Sequence, residues 1–258
     1  MQSVSDVAKE WIKSKGGTLL SEEELNKRLA EIDRQASEKA AADYLELKRK
    51  VYQRDSLWPS GRKAAFSFER WLPERQPDVP LATMVKQQST DLFKRLRHEA
   101  FNVFLHGSAG VGKTAMTLAI LDAFERFTSK TTMFVSAVAL REAVMYDFND
   151  NQARAKLERI QKSMLEVDVL VIDDFGSEVG MAGSVRQATE RLQQFYMRVA
   201  DSRYEVDENG RRTKCTIITS NNTRSELGAM YNDKLISRLV TKKPDNVILF
   251  VGLEDVRD

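Results

Sequence analysis

The chain has 258 residues, of which 30% are charged, and its formal net charge is only +2, so it can hold one large and one small domain but has no overall field that would attract nucleic acid. A single cysteine, Cys215, and two histidines, His98 and His106, argue against a disulfide framework, a multi-cysteine zinc site and a histidine metal site. Because no apolar run approaches the ~18 residues of a membrane span and no signal-peptide pattern begins the chain, we expect a soluble, cytoplasmic protein.

The N-terminal part carries a long helical pattern. Ser21 and Glu24 form a capping box, and a shorter helix is predicted over residues 4–14. After the box, apolar residues recur every three or four positions to about Arg54: Leu25, Leu29, Ile32, Ala36, Ala40, Tyr44, Leu47 and Val51. A helical element of this size cannot bury a large core by itself. The stripe formed by these apolar residues therefore either contacts a partner or packs on the main domain. We predict a helical domain over residues 1–60.

The next segment is rich in proline. All but one of the five prolines lie within residues 59–80, which is typical of a linker that wraps onto the following domain. We therefore predict a linker over 61–80 and a second domain over 81–258.

A glycine-rich loop between a strand and a helix follows. Residues 101–106 are strand-like and the residues after Thr114 have helical spacing. The loop itself matches the pattern G-x-x-x-x-G-K-[ST] with Gly107, Ser108, Ala109, Gly110, Val111, Gly112, Lys113 and Thr114. Its backbone N–H groups and helix start favour an anion. Lys113 would reach the β- and γ-phosphates and Thr114 would ligate Mg²⁺, so we predict that the chain binds ATP or GTP.

Strand and helix patterns then alternate. Further strands are predicted over 131–135, 169–172, 215–219 and 247–251, and helices over 137–148, 152–164 and 185–203. Five strands separated by helices predict an α/β fold, in which a five-stranded parallel sheet is flanked by helices. The polar stretch 205–214 is expected to be a solvated loop, although its basic tip could contact a phosphate backbone.

Polar residues follow two of these buried strands. Asp173 and Asp174 end the third strand, where Asp173 is placed to hold Mg²⁺ through water and Asp174 to act as general base for the attacking water. Asn221 follows the fourth strand and could orient water or the γ-phosphate. Arg238 lies on a short helix, where an arginine is usually solvated. In nucleotide-driven assemblies, however, an arginine placed in this way completes the site of the adjacent subunit.

The ordered set GSAGVGKT, VLVIDDFGSE, TSNN and KLISRLV resembles the AAA+ ATPases that load bacterial replicative helicases, the DnaC/DnaI type, over about residues 66–258. The resemblance implies a sensor role for Asn221, an arginine-finger role for Arg238, and a place beside adenine for Phe68 and Trp71. It also implies ATP and Mg²⁺ as cofactors, head-to-tail self-assembly, and a hexameric replicative helicase as the partner of residues 1–60.

The same resemblance implies that residues 140–162 line a path for single-stranded DNA. Cations and aromatic rings of this stretch suit phosphates and stacked bases: Arg141, Arg154, Lys156 and Arg159 as cations, and Tyr146 and Phe148 as aromatics. Core packing of the two aromatics is an equally open alternative.

Two departures from the family pattern concern hydrolysis. Asp174 stands where many AAA+ proteins carry glutamate, and its shorter side chain predicts slow, switch-like turnover. The chain ends soon after the last strand, so we expect no helical lid and a site that Arg238 of a neighbour closes. These observations favour a helicase loader of bacterial or phage origin. The alternatives are a transposition helper ATPase of the IstB type, acting on duplex DNA and a transposase, and a simple P-loop kinase.

Overall fold

The computed structural model of the protein describes residue 14 and residues 21–146, 150–179 and 187–255. By its contacts the chain divides into two compact units, Met1–Leu47 and Lys48–Asp258. The division falls inside a long helix, α1 (Glu22–Asp55). Apart from Ser14, the helix predicted over residues 4–14 lies outside the described residues.

In the first unit, α1 starts at the predicted capping box. Ser21 Oγ accepts from the backbone N–H of Glu24 at 3.2 Å, and the Glu24 carboxylate accepts from the backbone N–H of Ser21 at 2.8 Å. These reciprocal bonds satisfy N–H groups that the first helical turn leaves open. Four large residues of the predicted stripe are more than half exposed: Leu29, Ile32, Tyr44 and Leu47.

The second unit is built on a five-stranded sheet whose strands are β1 (Val103–His106), β2 (Thr132–Ser136), β3 (Val169–Asp173), β4 (Cys215–Ser220) and β5 (Val247–Leu249). Their order is β2–β3–β4–β1–β5, and all paired strands are parallel. Leu105 of β1 lies between Thr219 of β4 and Ile248 of β5, and Phe134 lies opposite Val171. This confirms the predicted five-stranded parallel sheet.

Helices cover both faces of this sheet. Successive residues of a strand point to opposite faces, so neighbouring apolar residues of one strand pack into two different core clusters. Val103 and Leu105 belong to one core cluster, with Val85 and Phe124, whereas Phe104 belongs to the other. The helices are α2 (Val79–Leu96), α3 (Lys113–Phe127), α4 (Ala137–Tyr146), α5 (Asn151–Glu166), α6 (Glu190–Arg203), α7 (Arg224–Met230) and α8 (Asp233–Leu239). None of the described helices is long and apolar enough to cross a bilayer.

Two of the longer helices differ from the sequence expectations. α2 occupies a stretch in which no helix was predicted, although Asp78 caps it by accepting from Leu81 N at 2.9 Å and Pro80 lies in its first turn. α6 starts at Glu190, later than predicted, because Thr189 ends the preceding extended segment and caps the helix. Residues 185 and 186 of the predicted helix lie outside the described residues.

The end of α1 and the residues after it pack within the second unit. Tyr52 is buried in the core, and Leu57 exchanges backbone hydrogen bonds with Phe134 and Ser136 beside β2. The ring of Trp58 stacks on that of Phe134, with 4.3 Å between the centroids. Residues 48–58 therefore pack beside the sheet of the second unit and contribute Tyr52 to its core.

Candidate nucleotide-binding site

The glycine-rich loop leaves β1 and enters α3, as the sequence predicts. Gly110 and Gly112 have left-handed φ angles of 84° and 93°, a conformation that favours glycine. A Cβ at Gly112 would lie 2.6 Å from the ring of Trp71, and one at Gly107 would lie 2.7 Å from Phe250 Cβ. Gly112 therefore needs glycine both for its backbone conformation and for close packing, whereas Gly107 needs it for close packing.

Lys113 is the first residue of α3 and is buried. Its Nζ donates to the carbonyl oxygens of Gly107 at 2.8 Å and Ser108 at 2.6 Å, and to Oδ1 of Asn221 at 2.7 Å. The two carbonyls hold the ammonium inside the phosphate loop, and Asn221 approaches it from the end of β4. The structure therefore brings the predicted phosphate lysine and the predicted sensor into direct contact.

Asp173 meets Thr114 at the edge of the sheet. The Thr114 hydroxyl is 3.0 Å from both carboxylate oxygens of Asp173, and Thr219 Oγ1 donates to Oδ1 at 2.7 Å. Hydroxyl and carboxylate oxygens are the ligands that Mg²⁺ prefers. Among the described residues no group of three or more His, Cys, Asp or Glu side chains could hold a metal, so an ion at Thr114 and Asp173 would take its other ligands from phosphate and water.

Asp173→Asn is expected to stabilise the nucleotide-free protein above pH 6. Burial, followed by the neighbouring charge of Asp174, raises the pKa of the Asp173 carboxyl to about 6, compared with ~3.9 in an unfolded chain. The folded state thus binds this proton more tightly, and ionisation costs folding free energy as the pH rises through 6, up to roughly 3 kcal/mol.

Thermal unfolding without nucleotide and Mg²⁺ checks this expectation. The variant should have the higher Tm at about pH 8, and the difference should disappear below about pH 4, where the carboxyl is protonated in both states. An equal Tm difference at both pH values would contradict the assignment of a buried, ionised Asp173.

Asp174 turns the chain from β3 towards the loop region. Its φ is 55°, the left-handed region that is uncommon for a residue other than glycine. The backbone N–H of Asp174 donates to Thr219 Oγ1, and that of Phe175 to the Thr219 carbonyl oxygen, both at 2.9 Å. The Asp174 side chain lines the same cavity as Lys113, which is where a general base would be needed.

A cavity of about 480 Å³ joins these groups. Trp71 lines it and donates from Nε1 to the Ala82 carbonyl at 3.2 Å, whereas Phe68 packs against the core and is not among the lining residues. From the phosphate loop and the strand ends it is lined by Ala109, Gly110, Gly112, Lys113, Thr114, Asp174 and Asn221. From the segment before α2 it is lined by Ala65, Phe66, Arg70, Trp71, Leu72, Arg75 and Gln76.

The sequence did not indicate several of these neighbours. Phe66 lines the cavity where Phe68 does not, and the cations Arg70 and Arg75 border it. Gln76 exchanges two hydrogen bonds of 2.9 Å with the backbone of Glu254, through which the C-terminal segment is held beside the cavity. Only nearness to Trp71 in the chain could have indicated the first three residues, and nothing in the sequence indicated Gln76.

Another unpredicted neighbour is an acid at the phosphate loop. The carboxylate of Asp255 lies against Gly110, so closely that a Cβ on this glycine would overlap it. An acidic side chain and a triphosphate would repel each other at this position.

Arg238 does not line the cavity of its own chain. It lies on α8, where its guanidinium forms an ion pair with Asp201 of α6 and contacts Sδ of Met197 at 3.7 Å. Its side chain is partly exposed. A finger role therefore requires the cavity of a second copy.

The predicted DNA-contact residues lie on α4 and α5 with differing surroundings. Arg141, Lys156 and Tyr146 are exposed, and the Tyr146 exposure of 78% excludes core packing for this ring. Arg159 is exposed as well, but it also donates to the buried carboxylate of Asp55 at 3.1 Å and so holds the end of α1. Arg154 is exposed, and Phe148 lies outside the described residues.

Comparisons with known proteins extend this description. The model of the family described as IstB-like ATP binding protein matches residues 74–242. A structure of a DNA replication initiation factor is 17% identical, with a TM-score of 0.52, and the match covers 71% of this chain and 49% of that one. The replication initiator DnaA bound to AMPPCP and single-stranded DNA is 17% identical, with a TM-score of 0.51 and coverages of 75% and 50%.

DnaI is 15% identical, with a TM-score of 0.50, and the match covers 75% of this chain and 90% of that one. The chain spans about half the length of the first two structures, and at these identities the likeness is one of fold. Among curated proteins, no sequence matches the chain.

Proposed function

Because the chain belongs to the IstB-like ATP binding protein family of AAA+ ATPases, we propose that it is an ATP-dependent loader that delivers a hexameric replicative helicase onto single-stranded DNA. The observation that carries the proposal is the separation of Arg238 from the cavity that holds Lys113, Asp174 and Asn221. Because Arg238 does not line the cavity of its own chain, it would act on the cavity of a second copy, and ATP would then control an assembly. The likeness to DnaI supports this proposal.

ATP with Mg²⁺ would occupy the cavity, where Mg²⁺ neutralises charge on the phosphate oxygens. Lys113 would bind the phosphates, and the oxygens of Thr114 and Asp173 would hold the metal. Asp174 would accept a proton from the attacking water, which Asn221 would orient. Because the Asp174 carboxylate is one methylene shorter than that of glutamate, turnover would be slow and suit a switch.

Self-assembly would be head-to-tail, since the surface that carries Arg238 and the surface that carries the cavity are different. In the free chain Arg238 is paired with Asp201. In the assembly it would exchange this partner for the phosphates of the neighbouring subunit, where its charge stabilises phosphoryl transfer.

The partner contacts are proposed on the two regions that the ATPase cavity does not use. The exposed apolar stripe of α1, which includes Leu29 and Ile32, suits a groove on a helicase. The exposed cations Arg141 and Lys156 suit DNA phosphates, and the exposed ring of Tyr146 suits a stacked base.

Removal of residues 1–47 is expected to abolish helicase capture and to leave ATP binding unchanged. The fragment should start at Lys48 because Tyr52, Asp55 and Leu57 pack within the ATPase unit. Co-elution on size exclusion with the replicative helicase of the same organism, with and without ATP and Mg²⁺, checks this. A fragment that binds ATP normally and still captures helicase would contradict the assignment of the helicase-binding part.

The family match favours one other candidate, a transposition helper ATPase of the IstB type. Such a protein would act on duplex DNA with a transposase. Binding of the full chain to single-stranded and duplex oligonucleotides of the same sequence, in the presence of ATP, separates the two. Tighter binding to duplex, without a helicase complex, would support the helper.

A further inference from the structure

Glu178 is a buried carboxylate that the proposed reaction does not use. It accepts hydrogen bonds from three donors: the backbone N–H of Gly176 at 2.8 Å, Tyr196 OH at 3.1 Å and Tyr231 OH. Burial, followed by the nearby carboxylate, raises the pKa of both phenols, so they stay protonated and act as donors. Glu178 thus joins three segments of the chain at one point.

The first of these segments is the turn that carries Asp174. Gly176 has a left-handed φ of 100°, and a Cβ there would lie 2.6 Å from Asn222 Nδ2. Asp174 itself has a φ of 55°. A left-handed conformation at a residue other than glycine, such as Asp174, persists where surrounding contacts fix it. The bond from Gly176 N–H to Glu178 is one of these contacts.

The other two segments are α6 and the junction between α7 and α8. Tyr196 lies on α6, and Tyr231 ends α7 and is followed at once by Asn232, the N-cap of the helix that carries Arg238. The ring of Phe175, next to Asp174, stacks on Tyr231 with 4.5 Å between centroids and meets Tyr196 edge-on at 5.2 Å. The turn with the candidate base and the helix with the candidate finger therefore share one packed cluster.

Stability of the fold is a weak reason for such a carboxylate. Burial raises the pKa of Glu178 because it penalises the charged form, although Tyr231 and the other donors oppose this effect. Apolar residues that fill the same volume commonly stabilise a core as well as a buried charged group does. A group that must hold a strained turn in one conformation, in contrast, needs directed bonds to several segments.

We propose that Glu178 is a positioning residue for ATP hydrolysis. Its carboxylate holds the turn that directs Asp174 into the cavity, and it joins this turn to Tyr231, which directly precedes the N-cap of α8, the helix that carries Arg238. The proposal rests on the roles assigned to Asp174 and Arg238 under the proposed function. It does not depend on a helicase or on DNA.

The test is steady-state hydrolysis by the full chain carrying Glu178→Gln or Tyr231→Phe, with neither helicase nor DNA present. Both variants are expected to lower kcat by about tenfold or more, since small misplacements of a catalytic group cost rate steeply. KM and the affinity for ATP should stay within about twofold, because the phosphate loop is unchanged. Tyr52→Phe, which changes an equally buried tyrosine of α1, should keep kcat.

If Glu178 had a purely structural role, the two variants would have a lower melting temperature, but their kcat would not fall while KM stayed constant. Wild-type kcat in a folded Tyr231→Phe protein would overturn the proposal, and this variant decides the matter if Glu178→Gln does not fold. A parallel fall in kcat and ATP affinity would overturn it as well. If the wild type does not capture helicase, the proposed loader function fails, but the hydrolysis rates measured here do not change. Failure of the loader function is therefore distinguishable from failure of the Glu178 proposal.

Discussion

Lys113→Ala is expected to abolish ATP binding. The lysine lies buried at the start of α3, and its ammonium is held among the carbonyls of Gly107 and Ser108 and the side chain of Asn221. Hydrogen bonds to charged groups contribute about 1.5–3 kcal/mol each. Loss of the bonds to the phosphates should therefore weaken binding at least about a hundredfold.

Titration calorimetry with ATP and Mg²⁺ measures this loss directly. Lys63→Ala is a suitable control, because this lysine is exposed and pairs with Glu125 away from the phosphate loop. It should bind ATP as the wild type does. Unchanged ATP affinity in the Lys113 variant would refute the phosphate-loop assignment, and the proposed ATPase would fail with it.

Arg238→Ala is expected to eliminate turnover while ATP binding stays intact. The side chain does not line its own cavity, so nothing in the binding of ATP by a single chain depends on it. Arginine fingers contribute about 10³–10⁵ in rate. The wild-type rate per subunit should rise with protein concentration as copies assemble, whereas the rate of the variant should stay near zero at every concentration.

Mixing two inactive variants makes the test sharper. Lys113→Ala supplies an arginine but binds no ATP, and Arg238→Ala binds ATP but supplies no arginine, so a mixture should recover part of the activity. Asp201→Asn removes the partner of Arg238 within the chain and should keep turnover. If Arg238→Ala hydrolyses ATP normally at all concentrations, this arginine is not a finger.

Much of the site could be predicted from the sequence because it depends on local chemistry. The phosphate loop needs glycines at left-handed positions and a lysine at a helix start, and both requirements are visible in the residues from Gly107 to Thr114. Asp173 and Asn221 were placed because they follow buried strands. In a parallel sheet the carboxyl ends of neighbouring strands lie at one edge, so these side chains meet.

The remaining features depend on contacts between distant segments, which a single sequence does not specify. Arg159 reads as a surface cation of a helix, yet it anchors Asp55. Asp255 reads as part of a polar tail, yet its carboxylate lies against Gly110. Phe68 was predicted beside adenine, yet it packs against the core, and Phe66 lines the cavity.

The burial of the end of α1 is another feature that the sequence alone does not specify. Its apolar spacing continues without a break from residue 25 to residue 51, so the pattern alone cannot tell an exposed stripe from a buried one. In the structure, Leu47 is exposed and Tyr52 is buried in the core. The change follows from the segment around Leu57, whose backbone pairs beside β2 and draws the helix end onto the sheet.

The most direct test of the proposed loader is the delivery of helicase onto closed circular single-stranded DNA. With the full chain, ATP and Mg²⁺, helicase should remain on the circles after gel filtration, and Lys113→Ala should leave the circles empty. The loader proposal would be contradicted if the circles carry no helicase although the chain binds and hydrolyses ATP. If the chain also prefers duplex DNA, the transposition helper is favoured.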